Sequence, residues 1–388
     1  MNRAKADEIT AKVRSRLSAR YKSTVTEWQL ESQKGPAVQD PSLELSHATF
    51  AKPPDDGVLQ ALLQSIERLG DGTETFAVPE VESVEAEWLS EKGSLELVKA
   101  APGSRAISIR YRLAPQHPFP ASLLDILVAY LSLLHSATPP NPGTRIVLAG
   151  ESSGANLCLA LLQFLLDLHR QHPNPTIRFH GKEVSVPLPA GVATACGYFD
   201  VTRALPSWTT TREYDILEPG PVSYLLPGGP TCEAWPATPP RGEIYCEVSA
   251  LAHPLVSPCA AEDWTGSPPM WLGYGEERLG DCNKVLAARA RECGVVVREE
   301  VFEGMPHLFF QLMGKFPAVR VCYEDWGKFC GSVVNGDVEG GRRVFEIETG
   351  QERRIDHGGQ GIVKYEEAVK LMRAKRDAGG ITGVMAKF

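Results

Sequence analysis

The chain lacks any run of 18 consecutive apolar residues. Its best candidate, 157–168, is interrupted by Gln163 and Asp167. A membrane-crossing helix needs about 20 apolar residues, so this stretch reads as a buried helix. An apolar core to a secretory signal is also missing, because Lys, Arg, Asp and Glu are scattered through residues 1–21. There is no basic excess: 40 Lys and Arg against 48 Asp and Glu leave a net charge of −8. That balance offers no electrostatic footprint for nucleic acid or an anionic membrane. No Cys-x-x-Cys pair or Cys/His cluster occurs. The nine cysteines (158, 196, 232, 246, 259, 282, 293, 322 and 330) are odd in number and dispersed. This pattern argues against a zinc site or a disulfide framework and for free thiols in a reducing, cytoplasmic setting. No metal and no organic cofactor is expected.

What is present is ordinary for a globular protein. Apolar residues at 43% and charged residues at 23% exclude disordered, collagenous and coiled-coil classes. The 388 residues allow two to three domains by length, a prior that single α/β domains often exceed. Residues 1–75 read as an N-terminal helical or cap segment, with charges at helical spacing over 4–17 and an amphipathic pattern over 58–69; 35–56 reads as a linker. From 76 to 330, short β-branched runs alternate with helical stretches, the pattern of βαβ units and a parallel sheet. Expected strands are 105–110, 145–148, 189–194, 269–273 and 295–302; expected helices are 121–135, 155–170 and 283–293. The segment 206–245, crowded with Pro, Gly and Trp, reads as an excursion covering a site. Residues 331–388 read as a C-terminal appendage with a strand pair near 344–354 and a basic helix near 364–376.

Chemistry concentrates at RIVLAGESSGANL, residues 145–157. A strand runs into Gly150-Glu151-Ser152-Ser153-Gly154 and then a helix, so small neighbours clear a sharp turn that presents Ser152 as a nucleophile. The same turn aims the Ser153 amide and the helix N-terminus at charge developing beside Ser152. A serine hydroxyl at its free pKa needs a base. His307, in Gly304-Met305-Pro306-His307 just past the strand at 295–302, is placed to take its proton. An acid should follow the preceding strand, where Glu276, Glu277 and Asp281 all qualify. Trp208, Trp235, Trp264 and Trp271 suit core packing at least as well as an acyl pocket.

Further motifs carry a resemblance. YRLAPQHPFP (111–120), GESSGANL (150–157), HPLVSP (253–258) and GMPH (304–307) occur in order. Together they resemble the hormone-sensitive-lipase-like branch of the α/β hydrolases, most closely its fungal members, over residues 80–330. The resemblance implies an α/β-hydrolase fold: a mostly parallel sheet, helices on both faces and a helical cap. It implies ester hydrolysis through an acyl-enzyme on small apolar esters, with Glu277 at the acid position. A small-molecule ester is the expected partner; a homodimer is left open.

In one place the chain departs from that branch. A His-Gly-Gly-Gly loop supplies much of the branch's oxyanion hole, yet residues 81–111 read VESVEAEWLSEKGSLELVKAAPGSRAISIRY. One strand and its glycine loop are expected to be missing. A run at 357–361, His-Gly-Gly-Gln-Gly, follows a segment too polar for a central strand and reads as a turn. An impaired or inactive relative is therefore one rival reading. A non-catalytic ligand-binding protein is another, although the receptors of this kind in plants lose the histidine that His307 retains.

Overall fold

The computed structural model describes residues 3–20, 23–33, 43–91, 104–135, 142–211, 215–217, 229–353 and 363–379. In chain order, helices α1 (Arg3–Arg20) and α2 (Val25–Gln33) precede strand β1 (Leu43–Phe50), helix α3 (Gly57–Leu69) and strands β2 (Val84–Glu91) and β3 (Ala106–Arg110). Helix α4 (Ala121–His135), β4 (Val147–Glu151) and α5 (Ser153–Gln171) come next. They are followed by the hairpin β5 (Thr176–Phe179) and β6 (Lys182–Ser185), then β7 (Gly191–Ala195) and the short α6 (Ser207–Thr210). The remainder alternates β8 (Met270–Gly275), α7 (Gly280–Glu292), β9 (Val297–Phe302), α8 (Phe309–Leu312), α9 (Pro317–Asn335), β10 (Gly341–Phe345), β11 (Glu352–Arg353) and α10 (Tyr365–Asp377).

The main sheet has the order β11-β10-β9-β8-β7-β4, parallel except for the β10–β11 pair. Strands β7 and β8 are buried at every position, as expected for parallel strands covered on both faces. Alternation along β8 sends side chains to opposite sides. Met270 and Leu272 pack with Leu159 and Leu162 of α5 and Val285 and Leu286 of α7, while Trp271 packs with Phe329 and Val333 of α9. Trp271 stacks on Trp326 at 5.4 Å, and Trp264 is also fully buried, so both tryptophans belong to the core.

Several expectations need correction. Part of the presumed linker is β1, whose alternating LELSHATF pairs antiparallel with β2 along its whole length. Proline and aspartate on either side obscured the two-residue period of that strand. Residues 1–75 are more than a cap: Val58, Leu62 and Ile66 of α3 enter the core beside α4 and α5. Residues 331–388 are no mere appendage either, because β10 pairs parallel with β9 and extends the sheet. Burial of Val344 and Phe345 against the sheet supplies the reason. The basic helix is α10, which buries Ala368 and Met372. The hairpin β5–β6 was not anticipated. The runs at 94–101 and 357–361 lie outside the described residues, as do 212–214 and 218–228 of the excursion.

A second sheet, β1-β2-β3, is antiparallel and separate. Among the described residues, β3 ends this sheet and β4 ends the main one, with no pairing between them. Both are only partly buried, in contrast to β7 and β8. Among the described residues no helix is long and apolar enough to cross a membrane.

Candidate active site

Ser152 sits between the end of β4 and the first residue of α5, with φ 49° and ψ −115°. A non-glycine residue held at positive φ is strained, a feature that clusters at functional sites. The turn is fastened by the Ser152 N–H donating to the Ala195 carbonyl at 3.1 Å and the Tyr198 N–H donating to the Ser152 carbonyl at 3.1 Å. Gly150 is sterically required, because a Cβ there would lie 2.6 Å from the Gly154 backbone; a Cβ on Gly154 would meet open space. The N–H of Ser153, first in α5, belongs to the turn of donors that a helix leaves without internal acceptors.

His307 follows β9 and Glu277 follows β8, so the parallel sheet brings both to the same edge as Ser152. The His307 Nε2 lies 3.0 Å from Ser152 Oγ, and its Nδ1 lies 2.5 Å from Glu277 Oε2. His307 and Glu277 are 2% and 1% exposed. Of the three acids left open by the sequence, only Glu277 contacts the imidazole among the described residues. Glu276 accepts the Gly304 N–H at 2.9 Å, and Asp281 accepts the Ser207 N–H at 2.8 Å. Burial works against the imidazolium, yet the charge and hydrogen bond of Glu277, helped by Asp215 and Glu151, hold the His307 pKa above its ordinary value. Glu151 is a hydrogen-bonding neighbour, accepting from Gln311 Nε2 at 2.5 Å.

Cys196, Glu277 and His307 bring one ligand atom each to within 4.8 Å of one another, the one group among the described residues with metal-ligand potential. Two of these three are already engaged with each other, and burial pushes the Cys196 thiol well up. The 3.0 Å between Ser152 Oγ and His307 Nε2 is within reach for proton transfer between a hydroxyl and an imidazole.

Asp215 has no motif in the sequence to mark it. It is fully buried; Oδ1 accepts the His307 N–H at 3.0 Å and Oδ2 accepts the Arg278 N–H at 2.6 Å. One carboxylate of the excursion thus ties the histidine loop to the acid loop. Only the convergence of three loops makes it visible. Other motif residues serve the frame. Arg112 makes a two-pronged ion pair with Asp125, its Nη2 2.7 Å from Oδ1. His253 Nε2 lies 3.0 Å from the Ile66 carbonyl. Imidazole contacts to backbone carbonyls likewise occupy His135 and His169.

A family model described as alpha/beta hydrolase fold matches residues 86–226 and 229–311. An acetyl-hydrolase of Streptomyces hygroscopicus is 31% identical over 231 residues, covering 59% of this chain and 65% of that protein. An esterase of Acinetobacter venetianus is 27% identical over 236 residues, with the same coverage of 59% and 65%. The chain therefore spans just under two thirds of the length of these curated relatives. Human hormone-sensitive lipase is 31% identical over 125 residues, 32% of this chain and 10% of that enzyme. The solved structure of an esterase from the bacterial hormone-sensitive lipase family shares the fold, with TM-score 0.57, 21% identity, and coverage of 86% of this chain and 99% of that one. With the family model covering more than half of its length, the chain belongs to the alpha/beta hydrolase fold family.

Proposed function

We propose that the protein hydrolyses carboxylic esters through a Ser152–His307–Glu277 triad and a covalent acyl-enzyme. The observation that carries this reading is the unbroken chain of contacts from Ser152 Oγ through His307 to Glu277, at 3.0 and 2.5 Å. Ser152 Oγ attacks the ester carbonyl as His307 Nε2 removes its proton. Glu277 holds the Nδ1 proton and stabilises the imidazolium. The Ser153 N–H donates to the oxyanion of the tetrahedral intermediate. His307 then protonates the departing alcohol. Water, activated by the same imidazole, cleaves the acyl-enzyme to the free acid and restores Ser152. Small, largely apolar esters suit this reading, with the N-terminal helices and the excursion as a cap. Contacts between α2 and the excursion support that cap: Thr26 Oγ1 lies 3.2 Å from Glu233 Oε1, and Val25 packs on Trp235.

The test is turnover of p-nitrophenyl acetate and butyrate by purified protein, together with fluorophosphonate labelling. Label on Ser152 and turnover abolished by Ser152→Ala are the expected results. Absence of label with background hydrolysis would overturn the reading.

The rival reading, an impaired or inactive relative, rests on two features. No His-Gly-Gly-Gly occurs in the sequence, and among the described residues β3 and β4 end two separate sheets. An oxyanion site short of one donor loses roughly two to three orders of magnitude in rate.

Two further outcomes follow from the electrostatics. Catalysis needs neutral His307, whose pKa is raised, so kcat/KM should climb with pH and reach half its plateau above about 6.5. A midpoint well below that value in a pH–rate profile contradicts the assignment. Asp215→Asn removes a negative charge that favours the imidazolium, so the midpoint should move to lower pH. The amide also presents one donor where the carboxylate accepted from two, so the plateau rate should fall on the order of 10- to 100-fold through misplacement of His307. A merely structural aspartate would lower the plateau without moving the midpoint.

A further inference from the structure

We propose that Cys196 is a positioning residue for the triad: its S–H donates to the Glu277 carboxylate and, through Glu277, governs His307 as a base. The proposal deepens the esterase reading and rests on it for the reaction that His307 serves. Cys196 is the first residue after β7 and is fully buried, with φ 49°. A non-glycine residue at positive φ is strained and persists only where its surroundings hold it. Two neighbours do so. The Cys196 N–H donates to the Gly273 carbonyl of β8 at 2.8 Å, and the Ala195 carbonyl just before it accepts the Ser152 N–H at 3.1 Å.

The side chain meets the acid. Sγ, one Glu277 oxygen and one His307 ring nitrogen all lie within 4.8 Å of one another. Glu277 Oε2 is occupied by His307 Nδ1, whereas Oε1 is buried and receives no N–H or O–H among the described residues. A buried carboxylate oxygen without a donor is costly. The thiol, a weak donor, stands beside this carboxylate and hydrogen-bonds to it. The Leu308 N–H in turn faces the sulfur, so the thiol joins the acid loop to the histidine loop.

Its chemistry suits a donor and not a nucleophile. Burial, followed by the Glu277 charge, pushes the Cys196 thiol well up, so it keeps its proton. Cys322 of α9 is the other titratable group beside the sulfur, and burial keeps its thiol neutral too. A donor to Glu277 stabilises the carboxylate most when the imidazole is neutral and leaves that charge uncompensated. Cys196 therefore opposes Asp215 and Glu151, whose charges favour the imidazolium.

The experiment compares pH–rate profiles of the wild type, Cys196→Ala and Cys196→Ser with p-nitrophenyl butyrate. Without the donor, Cys196→Ala should raise the midpoint of kcat/KM by about half a pH unit, a threefold change in proton affinity. Its plateau kcat should fall about tenfold with KM nearly unchanged, because a carboxylate with one free oxygen aims the imidazole less well. Cys196→Ser keeps a donor of similar size, and a stronger one, so its plateau should stay within about threefold of wild type and its midpoint should lie lower. A wild-type midpoint in Cys196→Ala overturns the proposal, as does a serine variant impaired like the alanine one, since both results report packing alone. If the alanine variant fails to fold, the serine variant decides, and a midpoint at or above that of the wild type overturns the proposal. NMR titration of the His307 ring separates this from the esterase reading, because it needs no turnover. The same displacements in a protein that hydrolyses no ester sink the reaction and keep the role of the thiol. Equal ring pKa values in all the proteins sink that role.

Discussion

Ser152→Ala should lower kcat/KM for p-nitrophenyl butyrate by about four to six orders of magnitude, down to what binding and the Ser153 amide alone supply. The size follows from geometry. Oγ stands 3.0 Å from an imidazole that is itself held 2.5 Å from a buried carboxylate, so the three groups work as one device. Groups that act as a unit are non-additive. Ser152→Ala combined with His307→Ala should therefore be no slower than either single variant. Steady-state rates of the wild type, both singles and the double decide the matter. Losses that multiply would mean that the serine and the histidine act independently, contrary to their contact. A wild type no faster than Ser152→Ala would end the esterase proposal.

The second large effect concerns the frame. Arg343 on β10 donates through Nη2 to Glu300 on β9 and to Asp325 on α9, the latter at 2.8 Å. Glu300 is fully buried, and burial pushes its carboxyl up to about 7 even though Arg343 pulls the other way. Removing one partner of a buried pair leaves the other charge uncompensated, so Arg343→Ala should destabilise the protein by about 3 kcal/mol at pH 8. The loss should depend on pH. A carboxyl whose folded pKa stands above its unfolded value of 4.5 gains a proton on folding, so its contribution weakens stability as pH rises from 4.5 through about 7. Without Arg343 the upper end of that window moves above 7. At pH 5.5 Glu300 is largely protonated in both folded proteins, and the gap should narrow. Urea unfolding at pH 5.5 and 8 measures this; a gap independent of pH would show that Glu300 is not the group left exposed to the change.

The order of the main elements was legible because local patterns there coincide with tertiary need. The apolar periodicity of residues 121–135 predicts a helix, and α4 has those bounds. The strands read at 269–273 and 295–302 are β8 and β9, give or take a few residues. What escaped was structure whose local signal is weak. Strand β1 hides among polar and proline-rich residues and exists by pairing with β2. The strand pair expected near 344–354 is β10 and β11, but the place of β10 beside β9 in the main sheet was not legible, because its polar opening Gly-Arg-Arg makes sense only against Glu299 and Glu300 of β9.

The candidate site divides the same way. Ser152 and His307 could be named from the sequence because a nucleophile turn demands small residues at fixed offsets and a base must follow a later strand. Choosing Glu277 over Glu276 and Asp281 by residue type alone was impossible, since all three carry a carboxylate within six positions. The family resemblance selected Glu277, and side-chain direction at the sheet edge supports that choice, sending Glu276 to the Gly304 amide and Asp281 to Ser207. The placement of Asp215 and Cys196 beside His307 belongs wholly to the tertiary structure. Spacing along a chain records what one turn or one strand requires; which loops meet, and which buried oxygens are left without donors, depends on packing between segments far apart in sequence.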